Sequence, residues 1–188
     1  MRPVVLTDEE IVLRVQDGDI QAFGELVIRY EARLVRYAKK LLFNFNDHED
    51  VVQEVFIKAY KNIQSFKAGS RFSPWIYRIA HNEFVNTLKK RLKEPLPFID
   101  ADAIFPHTVS REDPGRKQEL KELSVAIETC LQKIPAKYRE VIILFYLQEL
   151  EYVEIAEILR LPVSTVGVRL KRGRESLKAI CQHLNQHL

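Results

Sequence analysis

Residues 152–175 read YVEIAEILRLPVSTVGVRLKRGRE. Two runs with helical apolar spacing flank a short break at Arg160-Leu161-Pro162-Val163. Proline has no N–H and a fixed φ, so it stops or starts a helix rather than continuing one. Ile155, Ala156, Leu159, Val166 and Leu170 fall where two crossing helices need branched and small contacts. Ala156 lets the backbones approach, and Ser164 is a candidate N-cap for the second helix. This is the grammar of a helix-turn-helix, whose second helix enters the DNA major groove. The alternative is a plain helical hairpin.

Working outward, the tail of this segment is basic: Arg169, Lys171, Arg172, Arg174 and Lys178 stand against Glu175. Upstream, Pro135 separates two further helices, over about residues 119–133 and 136–147. Before them, residues 94–118 hold Pro95, Pro97, Pro106 and Pro114 with Glu94, Asp100, Asp102, Glu112 and Asp113. Prolines at that density forbid a long helix. The segment reads as a solvated tether and the one domain boundary. The chain of 188 residues has six glycines and no sustained period-two alternation. It therefore reads as all-α, with two helical domains, 1–93 and 119–188, joined by the linker 94–118.

In the first domain a helix starts after Thr7, with Asp8, Glu9 and Glu10 in its first turn, and stops at Gly18. A second, over about 20–43, presents Phe23, Leu26, Val27, Tyr30, Leu34, Tyr37, Ala38 and Leu41 to the core. A third, over about 47–63, turns Val51, Val55, Ile57 or Ala59, and Ile63 inward, and Asp50, Gln53, Glu54 and Lys58 elsewhere. Residues 66–93 contrast with it. There Lys67, Arg71, Arg78, Lys89, Lys90, Arg91 and Lys93 face one acid, Glu83, and aromatics are interleaved: Phe66, Phe72, Trp75, Tyr77 and Phe84. Ser73-Pro74 is a candidate helix start. Arg78, Asn82, Asn86, Lys89 and Lys93 then recur along one polar stripe. Such a face offers planar donor–acceptor groups for base edges and cations for phosphates, and the loop before it adds aromatics for stacking. A solvated basic helix face over an aromatic core is the bland alternative.

The net charge is only +3, so its segregation carries the information: separate acidic and basic surfaces imply separate partners. Cys130 and Cys181 have no metal-ligand spacing and read as free thiols in a reducing cytosol. No apolar run marks a signal peptide or a membrane span, so the chain is expected in the cytoplasm with no direct membrane insertion. His48-Glu49 lacks the second histidine of a zinc-protease motif, and His48, His81, His107, His183 and His187 form no ligand set. No enzyme activity, cofactor, metal or small-molecule substrate is expected.

Two motifs in fixed order then carry a resemblance. DHEDVVQEVFIKAY at residues 47–60 followed by FSPWIYRIAHN at 72–82 resembles region 2 of the extracytoplasmic-function sigma factors of bacteria. Residues 152–175 are similar to their region 4. The resemblance implies that Asp50, Gln53 and Glu54 dock on the clamp helices of the largest catalytic subunit of core RNA polymerase. It implies that the loop from Phe66 through Lys67 to Arg71 captures a flipped base of the −10 element, and that Asn82 and Asn86, with Arg78 beside them, read that element. In region 4 it places Pro162, Ser164, Thr165, Gly167, Val168, Lys171 and Arg172 against the −35 element of promoter DNA. It further implies inhibition by an anti-sigma factor. A conventional helix-turn-helix regulator, binding duplex DNA without polymerase, is the competing function.

The sequence departs from the family pattern at three points. Arg160 stands where the inter-helix turn usually has Gly. Gly167-Val168 replaces a basic residue and a hydroxyl residue on the recognition helix. Gly173 replaces a common Ala, a smaller change. A left-handed Arg160 costs about 1 kcal/mol, as does Gly inside a helix.

Overall fold

The structure, a computed structural model, describes residues 6–43, 46–93 and 116–185. Most of the linker, residues 94–115, lies outside the described residues. Among the described residues there is no strand.

The first domain is built from α1 (Asp8–Gln16), α2 (Phe23–Leu41), α3 (His48–Asn62) and α4 (Phe72–Lys93). Thr7 and Glu10 form a capping box on α1, and Gly18 supplies the positive φ of 105° that ends the turn after it. The apolar stripe of α2 is buried as its spacing predicts. On α3, Val52, Val55, Phe56 and Ala59 are buried, while Ile57 is 45% exposed and points outward, contrary to one of the two inward assignments above. Leu26, Leu34, Tyr37, Phe72, Ile76, Tyr77 and Phe84 form the fully buried centre.

The start of α4 differs from expectation. Phe72, not Pro74, is its first residue, so Ser73 is inside the helix and is not the N-cap. The amide of Phe72 instead donates to Glu9 Oε1 of α1 at 2.8 Å. A carboxylate from another helix thus meets an orphan N–H and the positive end of the dipole.

The second domain comprises α5 (Arg116–Lys133), α6 (Ala136–Ile142), α7 (Tyr152–Leu159) and α8 (Val163–Asn185). After Ile142 the chain continues in a π-helical stretch, Ile143–Leu147, which the apolar pattern alone does not distinguish from an α-helix. Glu151 and Glu154 box the start of α7, and Arg160, at φ 52° and ψ 50°, closes it in the left-handed region. The first turn of α8 is set by the Pro162 carbonyl, which accepts from the amides of Thr165 and Val166. Ser164 lies within the helix and is not its cap.

Cys130 and Cys181 are not free thiols: they form a disulfide between α5 and α8, with Cα atoms 5.6 Å apart. They are 51 residues apart in the chain, and only the packing of these two helices brings them together. Gly173 of α8 is also more than a small change. A Cβ there would meet Ile142 Cδ1 at 2.9 Å and the Tyr138 carbonyl oxygen at 3.3 Å, so α6 lies directly on this glycine.

The two domains share one core, and α7 packs on α4. The Tyr77 hydroxyl donates to Gln148 Oε1 at 2.7 Å, and Arg33 donates to the Gln148 carbonyl at 2.9 Å. Glu140 Oε1 accepts from the Tyr37 hydroxyl at 2.6 Å and lies 2.6 Å from His81 Nδ1. Lys40 of α2 pairs with Glu128 of α5.

Candidate nucleic-acid and polymerase interfaces

Three surfaces can be placed from the residues upward. The first is the outer side of α3. Burial of Val52, Val55 and Phe56 against α2 turns Asp50 and Gln53 to solvent. Glu54 is half-buried, 3.9 Å from Lys58, which also pairs with Glu83 of α4. The outer side of α3 is therefore acidic and polar, with Asp50 uncovered at its amino-terminal end, where a negative charge also suits the helix dipole.

The second surface is α4 and the loop before it. Burial of Ile76, Ala80 and Phe84 leaves Asn82 and Asn86 exposed one turn apart, with both amides free to present donor and acceptor to a base. Lys67 and Arg71 are exposed in the loop, where Gly69 has the positive φ of 83° that turns the chain.

Phe66 does not join them. It is 5% exposed, wedged edge-on against Phe72 and Trp75 with ring centroids 6.1 and 5.6 Å away. Its aromatic area is spent on the core, so it offers no face to a base in this arrangement. Trp75 and Tyr77 are likewise core residues, at 8% and 0% exposure. Burial pushes the Tyr77 phenol up to about 12 against the partial relief of Arg33 and Arg36.

Two of the predicted cations are already engaged. Arg71 lies 3.3 Å from Glu154 and Arg78 lies 3.6 Å from Glu157, both acids on α7 of the helix-turn-helix. Carboxylates thus stand at the positions where phosphates are expected, and α7 partners the start of α4 and the loop before it. Sequence reasoning missed Glu154 and Glu157 in this role. The only signal in the sequence was the acidity of α7, which looks like an ordinary solvated face.

The third surface is the start of α8. Pro162, Ser164, Val168, Lys171 and Arg172 are exposed, and Thr165 and Gly167 are half-exposed. All seven predicted residues fall on one side because Val166 and Leu170 are buried against α7. Val168 is 50% exposed and offers only apolar contact. Arg172 also hydrogen-bonds the Tyr138 hydroxyl, which lowers that phenol from its ordinary value.

A helical domain with an acidic flank and an asparagine-bearing basic helix, joined to a helix-turn-helix, defines a two-domain DNA-binding protein of the sigma-70 type. Family models for Sigma-70 region 2 and Sigma-70, region 4 match residues 26–94 and 124–177. The ECF RNA polymerase sigma factor SigW of Bacillus subtilis (strain 168) is 37% identical, over 89% of this chain and 92% of its own length. Among solved structures, CnrH in complex with the cytosolic domain of CnrY gives a TM-score of 0.71 at 25% identity, covering 94% of this chain and 97% of that one. The sigma factor RpoE in complex with the anti-sigma factor NepR, from Bartonella quintana, gives 0.66 at 26% identity, covering 85% and 96%. The chain belongs to the extracytoplasmic-function (ECF) sigma factors of RNA polymerase.

Proposed function

We propose that this sigma factor docks on the clamp helices of core RNA polymerase through Asp50, Gln53 and Glu54. In this reading Asn82 and Asn86 read the −10 element, Lys67, Arg71 and Arg78 hold its backbone, and the 67–71 loop retains an unstacked base. The seven residues from Pro162 to Arg172 named above meet the −35 element. Duplex opening draws on binding and base retention, so the chain acts as an initiation factor in the cytoplasm and not as a catalyst. The observation that carries the reading is the pair of exposed asparagines beside Arg78 on α4, in a chain that also presents a helix-turn-helix. Gly167 and Val168 leave few polar groups for −35 base edges, so α4 bears an enlarged share of promoter choice. An anti-sigma factor is the expected inhibitor, by analogy with the NepR-bound relative.

The test is run-off transcription with core polymerase over a promoter library. Asn82→Ala with Asn86→Ala is expected to relax −10 selectivity by about tenfold or more while leaving polymerase binding intact, since a bidentate base contact is worth about 1–3 kcal/mol. Unchanged selectivity would remove those residues from the reading. Specific binding to promoter duplex without polymerase would favour a conventional regulator instead.

A further inference from the structure

Cys130 and Cys181 are not equivalent. Cys130 on α5 is 1% exposed, whereas Cys181 on α8 is half-exposed. Cys181 lines a groove of about 480 Å³ with Ile127, Leu131, Tyr146 and Leu177, and Arg174 and Lys178 stand at its rim. Lys178 precedes Cys181 by one helical turn on α8, so its ammonium shares that side of the helix. Cations beside a cysteine favour the thiolate, the nucleophilic form. The Cα separation of 5.6 Å lets the two sulfurs join without backbone movement.

We propose that this pair is a redox-modification site that takes a small anionic disulfide, with Cys181 as the attacked and attacking sulfur and Cys130 as the resolving one. The Cys181 thiolate attacks one sulfur of the small disulfide, whose S–S bond breaks and releases one thiolate. The Cys130 thiolate then attacks Cys181 Sγ and displaces the second. The two cysteines give up two electrons and two protons, and the small disulfide is reduced to two thiols. The carboxylates of the incoming molecule lie against Arg174 and Lys178, and its aliphatic part lies on the apolar groove wall. In reducing surroundings the pair rests as dithiol, and a shift of the small-thiol pool toward disulfide closes it. Closure staples α5 to α8, whose first half is the recognition helix. The state of the thiol pool is thereby written into the rigidity of region 4.

The experiment uses the full-length reduced protein, oxidised glutathione as the anionic probe and cystamine as a cationic one, followed by intact mass. Wild type is expected to lose two hydrogens and hold no adduct. Cys130→Ser should accumulate one glutathione adduct, and Cys181→Ser should react at least tenfold more slowly because Cys130 is buried. Arg174→Glu with Lys178→Glu should slow glutathione at least tenfold relative to cystamine. Oxidation of wild type should raise the melting temperature by about 10 °C or more. A stable adduct on wild type, equal rates at the two cysteines, no discrimination between the probes, or an unchanged melting temperature would each overturn the proposal. If the serine variants do not fold, alkylation of native reduced wild type decides it: Cys181 must label well before Cys130.

Discussion

At the scale of single residues, three departures from the family pattern have three different physical meanings. Arg160 occupies a left-handed position at φ 52°, so its side chain carries the steric cost that glycine would avoid. Gly167 has open surroundings: a Cβ would touch only Tyr152 Cε2, at an ordinary 3.7 Å. Packing therefore does not require its lack of a side chain. Gly167→Ala is expected to stabilise the domain by about 0.5–1 kcal/mol, the helix propensity gain. Gly173 is the opposite case, since Ile142 and the Tyr138 carbonyl already fill the space. Gly173→Val should destabilise by about 1–3 kcal/mol through overpacking. Urea midpoints of the two variants check both, and a shift of the same sign in each would contradict this account.

Among the elements, α4 is held at its start by a residue of α1. Glu9→Ala removes the acceptor of the Phe72 amide and is expected to cost about 1 kcal/mol in denaturant unfolding. A null effect would mean water replaces the carboxylate without loss. On α3, Asp50→Arg with Glu54→Arg inverts the exposed acidic side and should weaken capture of core polymerase at least tenfold in a pull-down; equal affinity would move the docking surface elsewhere. Much of this architecture was legible in the sequence, because amphipathic spacing reports burial directly: the stripe of α2 and the crossing of α7 with α8 are cases. What was not legible depended on contacts that apolar spacing does not report, some local and some distant in the chain. Ser73 and Ser164 look like caps, yet Glu9 and the Pro162 carbonyl take those roles. Phe66 sits in an exposed loop but turns inward to Phe72 and Trp75. Spacing placed the asparagines of α4 and the outer face of α8 on the surface, but it carried no sign that Arg71 and Arg78 meet the acids of α7 or that two remote cysteines join.

Across the whole molecule, Arg71 just before α4 and Arg78 on it pair with Glu154 and Glu157 of α7, so engaging a DNA backbone through these two cations requires them to leave those acids. Exposed ion pairs such as Arg78–Glu157 contribute at most about 1 kcal/mol, so they steer the contact more than they hold it. The hold comes from the shared apolar core and from hydrogen bonds at Gln148 and Glu140, whose loss leaves polar groups unpaired at about 1–3 kcal/mol each. The Tyr77 hydroxyl is the donor at the centre. Its value in the folded chain is about 12, above the ordinary 10.0 because burial disfavours the phenolate. A raised folded value means that the contribution is complete below pH 10.0 and is lost as pH rises through about 12. The amount at stake is roughly 2–3 kcal/mol. Small-angle scattering is therefore expected to show the radius of gyration growing across that window, in step with tyrosinate absorbance. Lysines titrate nearby, so Tyr77→Phe separates the causes: lacking the donor, it leaves Gln148 Oε1 unpaired and should already be expanded at neutral pH. A wild-type radius that stays constant through pH 12 while the tyrosines ionise would show that the Tyr77–Gln148 bond does not hold the domains together.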